Sequence, residues 1–133
     1  MTGAPVAGHG GVVGVGTDLV EIDRLRAALS RRGGLAARLF TEQEQERAAG
    51  RRDPVPSLAV RFAAKESVMK ALGRGLGSMA FTDIEVVVDS AGAPALVLVG
   101  RARERADELG VAHWHVSLTH TTQLAQAVAV ASR

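Results

Sequence analysis

The spacing of apolar and polar residues changes several times along the chain, and each change predicts an element. Val12 to Thr17 (VVGVGT) is a short apolar run broken by glycines and reads as a buried strand. Ile22, Leu25, Ala28 and Leu29 then recur at helical spacing, which predicts a helix from about Leu19 to Arg32, ended by Gly33-Gly34. Leu35 to Phe40 reads as a further short turn of helix. Thr41-Glu42-Gln43-Glu44 has the capping-box pattern, a Thr with an acid three residues on, and opens a helix to Ala49. Gly50 to Pro56 reads as a loop. Ser57 to Leu72 is the strongest helix, with Leu58, Phe62, Met69 and Leu72 on one stripe, and Gly73, Gly75 and Gly77 break it.

The second half is dominated by strand patterns. Asp83 to Asp89 and Pro94 to Val99 flank the turn Ser90-Ala91-Gly92-Ala93 and predict a hairpin. Arg101 to Leu109 reads as a helix stopped by Gly110. From His113 to Thr119, Trp114, Val116 and Leu118 alternate with His115, Ser117 and Thr119, the period of a half-buried strand. Leu124 to Ala131 is a last apolar strand. Hairpins without regular βα alternation predict an α+β fold, with a mainly antiparallel sheet of about five strands packed with helices. The Gly-rich, aperiodic residues 1–11 read as a flexible arm, and 12–133 as a single domain, which suits a length of 133 residues.

Composition narrows the chemistry. Apolar residues make up 47% and charged residues 23%, which is globular rather than disordered. The absence of cysteine removes disulfides, Cys-ligated zinc and a thiol nucleophile. No apolar run approaches a membrane span, and Met1 to Gly11 lacks a basic stretch followed by a long apolar one, so the expectation is a cytoplasmic protein without signal peptide or membrane contact. The net charge is only +2, but among 16 basic residues the lysines are two, Lys65 and Lys70, both within Lys65-Glu66-Ser67-Val68-Met69-Lys70. In a chain that otherwise uses arginine, this pairing hints at chemistry that needs an ammonium able to give up a proton.

Four groups of residues could carry that chemistry. Asp18 ends the first predicted strand, next to small residues. Its carboxylate suits Mg²⁺, which takes one or two carboxylates plus substrate phosphates, but it equally suits a helix N-cap, and the segment alone favours the cap. Glu66 and Lys70, four apart, share a helix face with Phe62 and Gly73. A surface salt bridge is the plain alternative, yet Glu66 lies beside the apolar stripe, where a partly buried carboxylate needs a partner or a metal. Lys65 falls between Phe62, Met69 and Leu72, so the expectation is an alkyl stem covering the core with its charge in water. His120, at a strand end, could contact a phosphate or shuttle a proton, while His113 and His115 on the other parity read as structural and form no zinc set. Finally Arg24, Arg26, Arg31, Arg32 and Arg38 make residues 1–40 locally basic, five cations against three acids. That surface suits an acidic protein partner or is simply solvated. Nucleic acid is disfavoured, because four aromatics leave little to stack on bases.

Taken together, Gly14-Val15-Gly16-Thr17-Asp18-Leu19-Val20-Glu21-Ile22 and Arg61-Phe62-Ala63-Ala64-Lys65-Glu66-Ser67, with Lys70-Ala71-Leu72-Gly73, resemble the two signature blocks of the holo-[acyl-carrier-protein] synthases, the short type of 4′-phosphopantetheinyl transferase. Arg38 to Glu42, Phe81 to Glu85 and His115 to Thr121 match that family's pattern in the same order, so the resemblance spans about Val12 to Ala131. It implies Mg²⁺-dependent transfer of phosphopantetheine from coenzyme A to a serine hydroxyl of an apo acyl carrier protein, with release of adenosine 3′,5′-bisphosphate. It implies Asp18 and Glu66 as metal ligands and Glu66 as the group that deprotonates the serine, directly or through water. Lys70 would serve the leaving phosphate. Gly73, Gly75 and His120 would lie near the nucleotide phosphates, and Arg24 and Arg38 at the acidic face of the carrier. A homotrimer with active sites at its interfaces is implied as well. Longer, pseudo-dimeric relatives carry a second acid two residues after the first aspartate; here that position is Val20, so water and phosphates complete the implied coordination.

Two rivals remain at this level. A module that binds carriers without turnover would be expected to have lost Asp18, Glu66 or Lys70, and all three are present. An acyl transferase would need a nucleophile and an oxyanion hole, and the chain has neither a cysteine nor G-x-S-x-G.

Overall fold

The computed structural model describes residue 3, residues 11–73 and residues 77–133. The expected arm therefore lies largely outside the described residues, as does Gly75. Strand β1 (Val12–Glu21) leads into helices α1 (Ile22–Arg31), α2 (Leu35–Leu39), α3 (Glu42–Ala49) and α4 (Val55–Ala71). A 3₁₀ turn at Phe81–Asp83 precedes β2 (Ile84–Val88) and β3 (Pro94–Leu98), then α5 (Gly100–Glu108), β4 (His113–His120) and β5 (Leu124–Ser132). Among the described residues all pairings are antiparallel, so the α+β expectation holds, but the five strands there are divided between two sheets: a three-stranded sheet in the order β1-β5-β4 and a separate β2-β3 hairpin.

The first strand is longer than its apolar run suggests. β1 pairs with β5 as far as Glu21 opposite Leu124, so helix α1 starts three residues after the predicted Leu19. Its first amide is satisfied by the chain rather than by a carboxylate: Ile22 N–H donates to the Gln123 carbonyl at 2.9 Å. Asp18 is thus neither at the strand end nor a helix cap. The helical spacing of residues 19–32 misleads because a cross-strand ladder overrides local preference. At the other junction, Val55 and Pro56 belong to α4 rather than to the preceding loop, with Val55 N–H accepted by Asp53 Oδ1 at 3.1 Å.

α4 is the spine of the molecule. It lies across the inner face of the three-stranded sheet, with Ala59, Ala63, Ala64, Val68 and Met69 buried against Ala125, Ala127 and Ala129 of β5. Small residues on both elements allow a close approach, and two glycines of β1 take it to the limit. A Cβ on Gly16 would stand 1.8 Å from the Ser67 carbonyl oxygen, and one on Gly14 would stand 2.0 Å from that of Ala71. Ser67, wholly buried, adds a tie by donating to the Ala63 and Ala127 carbonyls at 2.7 and 3.1 Å. The strand is therefore locked to the helix backbone to backbone. The capping box at Thr41 forms as predicted, with Glu44 N–H on Thr41 Oγ1 at 3.2 Å and Thr41 N–H on Glu44 Oε1 at 3.0 Å.

Candidate active site

The locked strand and helix bring three of the sequence candidates together. On β1, Gly14, Gly16, Asp18 and Val20 share the row that faces α4. Asp18 is the position where that row emerges from under the helix, leaving its side chain 13% exposed. On α4, Glu66 is half-buried and Lys70, one turn on, is exposed. Lys70 Nζ donates to the Thr17 carbonyl at 2.8 Å and to Asp18 Oδ1 at 3.1 Å. Glu66 lies close enough to the same carboxylate to feel its charge, and both line one cavity wall.

That arrangement is electrostatically unsatisfied. Burial, then the charge of Asp18 and a hydrogen bond to it, push the Glu66 carboxyl up to about 7, while Lys70 pulls the other way. Two carboxyls brought together, one raised by burial first and by the other's charge second, form a donor set that a divalent cation would relieve. Hard oxygen ligands are what Mg²⁺ takes. Among the described residues no third His, Cys, Asp or Glu joins them, so the other ligands would have to be phosphate or water.

Beside the carboxyls opens a cavity of about 390 Å³ between α1, α2 and α4. Leu25, Ala28, Leu39, Phe62 and Phe81 give it an apolar body, Asp18 and Glu66 lie in its wall, and Arg24 also lines it. Phe62, read in the sequence both as part of the apolar stripe and as sharing the face of Glu66, fills both places. Phe81 entered the sequence reading only as part of the family resemblance; its place at the cavity depends on the 3₁₀ turn. Arg24 is exposed, with a loose 3.9 Å contact to Glu21. Arg38 is exposed on α2 outside that lining. Arg26 is already committed: its guanidinium grips Asp53 through two bonds of 2.9 and 2.8 Å, tying α1 to the segment before α4.

The remaining candidates separate. His120 is exposed at the end of β4, its Nδ1 3.2 Å from the Thr121 carbonyl. It lines a different cavity of about 380 Å³ with Arg51, Asp53, Ser57 and Val60, at the opposite end of α4 from Lys70. Arg61 lies near this second cavity, bonded to the Ser57 carbonyl and hydroxyl with its buried Nε unpartnered; burial first holds its guanidinium below the usual range, with Glu44 opposing. His113 and His115 face solvent on the row opposite Trp114. Gly73 closes α4 at φ 69°, a left-handed conformation that favours glycine. Lys65 overturns expectation: its charge is not in water but fully buried, 2.7 Å from Glu44 Oε1. The lysine cannot snorkel because Phe40, α3 and the 3₁₀ turn cover the end of its stem.

A sequence model of the 4′-phosphopantetheinyl transferase superfamily (ACPS) matches residues 14–130. The chain belongs to this family. It is 52% identical over 120 residues to a holo-[acyl-carrier-protein] synthase of Streptomyces avermitilis, covering 90% of this chain and 97% of the relative. It is 48% identical over 115 residues to that of Moorella thermoacetica, covering 86% and 90%. The fold is similar to the crystal structure of the holo-[acyl-carrier-protein] synthase of Neisseria meningitidis, with a TM-score of 0.83 and 30% identity over 92% of this chain and 99% of the other. It is also similar to the Bacillus anthracis synthase solved in complex with CoA (3′,5′-ADP), with a TM-score of 0.76 and 32% identity over 92% and 97%. The chain is thus an enzyme of the transferase class, and the two blocks that carry the resemblance are the ones whose side chains meet at Asp18, Glu66 and Lys70.

Proposed function

We propose that this enzyme transfers 4′-phosphopantetheine from coenzyme A to a serine hydroxyl of an apo acyl carrier protein, in a Mg²⁺-dependent reaction that releases adenosine 3′,5′-bisphosphate. The observation that carries the reading is the Asp18–Glu66 pair, held against Lys70 at the wall of an open cavity. A divalent ion bound there would supply charge for the diphosphate of coenzyme A. The chain's own groups do the rest. Asp18 and Glu66 would hold the ion. Glu66 takes the proton of the carrier serine directly or through water. The serine oxygen bonds to the phosphorus on the pantetheine side of the diphosphate, and the P–O bond to the nucleotide phosphate breaks. Lys70, whose ammonium reaches the same carboxylate from the exposed side, neutralises the departing phosphate.

Arg24, beside the cavity, and Arg38 on α2 give the carrier's acidic surface a cationic counterpart. Gly73, just past the end of α4, would lie near the nucleotide phosphates. His120 belongs to a cavity away from its own chain's carboxylates, which supports a homotrimer in which a neighbouring copy contributes that residue. The outer face of the three-stranded sheet supports self-association too, since Val15 and Leu19 there are each 60% exposed. Among the described residues no helix is long and apolar enough to cross a membrane, and a cytoplasmic setting agrees with a carrier protein as partner.

The test is the intact mass of an apo acyl carrier protein after incubation with the enzyme and coenzyme A, with Mg²⁺ and with chelator. A gain of one phosphopantetheine only with metal supports the reading. No gain on carriers of fatty-acid or polyketide synthesis, from folded enzyme, overturns it.

A further inference from the structure

Lys65 is the lysine that this chemistry leaves idle. Its Nζ donates to Glu44 Oε1 at 2.7 Å, to the Phe81 carbonyl at 3.0 Å and to the Ile84 carbonyl. Three donors are therefore spent on three acceptors. The ammonium also stands 5.8 Å from the centre of the Phe40 ring. Glu44 is equally committed, its Oε1 shared with Thr41 N–H and its Oε2 accepting from Val86 N–H at 3.0 Å. A group so enclosed cannot meet a substrate.

It does hold the backbone on both sides of the 3₁₀ turn against α4. The ring of Phe81, fixed by that turn, packs on Phe62 with centroids 5.5 Å apart and planes tilted by 31°. Both rings line the cavity beside Glu66. Consecutive residues of α4 thus divide the labour: Lys65 points inward and pins the wall, while Glu66 faces the space that the wall encloses.

We propose that Lys65 is a positioning residue: by clamping the Phe81 turn it holds the Phe62–Phe81 pair as the wall against which the carrier protein seats, and so governs carrier recognition rather than bond making. The proposal rests on the reading of the cavity as the place where the carrier approaches. A purely structural lysine would lower stability without changing the kinetics of molecules that remain folded.

Steady-state kinetics of Lys65→Met, Phe81→Ala and the double variant, each well below its melting temperature, separate these cases. Lys65→Met is expected to raise KM for apo carrier about ten-fold, with kcat and KM for coenzyme A unchanged. Phe81→Ala should give the same signature, and the double variant should be no worse than Lys65→Met, since both act through one wall. An unchanged carrier KM, a fall in kcat at constant carrier KM, or full additivity overturns the proposal. If Lys65→Met does not fold, Glu44→Gln loosens the clamp with the lysine in place and should produce a smaller rise in the same KM; no rise overturns it. Failure of the wild-type enzyme to load any carrier would defeat the parent reading, whereas normal loading with an unmoved KM defeats only the role of Lys65.

Discussion

Helix α4 carries two lysine–carboxylate groups five residues apart, and they are opposites. Around Lys65 every charged atom has a partner: Nζ has three acceptors, and both oxygens of Glu44 are bonded, all out of contact with solvent. Around Lys70 the side chain is 56% exposed, its ammonium is bonded to Asp18, and Glu66 feels both charges. The closed group has no capacity left to bind anything, whereas the open group is strained by like charge and gains by taking up a cation. Burial alone does not mark a functional lysine; residual electrostatic demand does.

This contrast can be broken from the open side first. Glu66→Gln should leave the fold intact and cut transfer by about 10²–10⁴-fold, the usual scale for removing a positioned general base, as read by carrier mass at saturating coenzyme A. From the closed side, Lys65→Met strands the Glu44 charge in the core. It should cost about 3–5 kcal/mol, visible as a lower urea midpoint. Lys70→Ala, by contrast, removes an ammonium on a side chain 56% exposed and should cost less than Lys65→Met, with a smaller fall in the urea midpoint.

A finer test uses the glycines that seat Asp18. Gly16→Ala and Gly14→Ala meet similar backbone obstacles, at 1.8 and 2.0 Å, so each should destabilise by about 1–3 kcal/mol. Only Gly16 lies two residues from Asp18, so only its variant should raise the Mg²⁺ concentration needed for half-maximal rate. Equal shifts in both would show that strand–helix spacing does not set the carboxyl pair.

The smallest expected effect is a pH dependence of stability. Glu66 has a folded value of about 7 against an ordinary 4.5. A raised carboxyl contributes stability that is full below the unfolded value and is lost as pH rises through the folded one. Metal-free Glu66→Gln should therefore melt above wild type at pH 8, by about 1 kcal/mol after allowance for solvent screening at a half-buried group, and match it at pH 4. Adding Mg²⁺ to the wild type should close the gap at pH 8.

What the sequence disclosed follows from how local each signal is. The capping box at Thr41 and the long stripe of α4 depend on neighbours in the chain, and both appear within two residues of expectation. The side of α4 that carries Glu66 and Lys70 follows from their spacing of four. The extent of β1 was hidden, because only the ladder to β5, over a hundred residues away, carries strand to Glu21. Lys65 was misread for the same reason: its partner Glu44 lies 21 positions earlier, and on the helix wheel a buried ion and a snorkelling one look alike. The division of the strands into two sheets was equally hidden, since alternation identifies a strand but not its neighbours.

Glu44 performs a local and a distant task with one carboxylate. A capping acid is ordinarily free to fray with its helix end. Here, withdrawal of the carboxylate from Thr41 N–H also takes one of three acceptors from the Lys65 ammonium, and Val86 N–H depends on the other oxygen. The first turn of α3 and the middle of β2 are thereby coupled into one cooperative unit. In hydrogen exchange the amides of Thr41 and Val86 should report a common opening free energy, well above that of an ordinary exposed helix terminus.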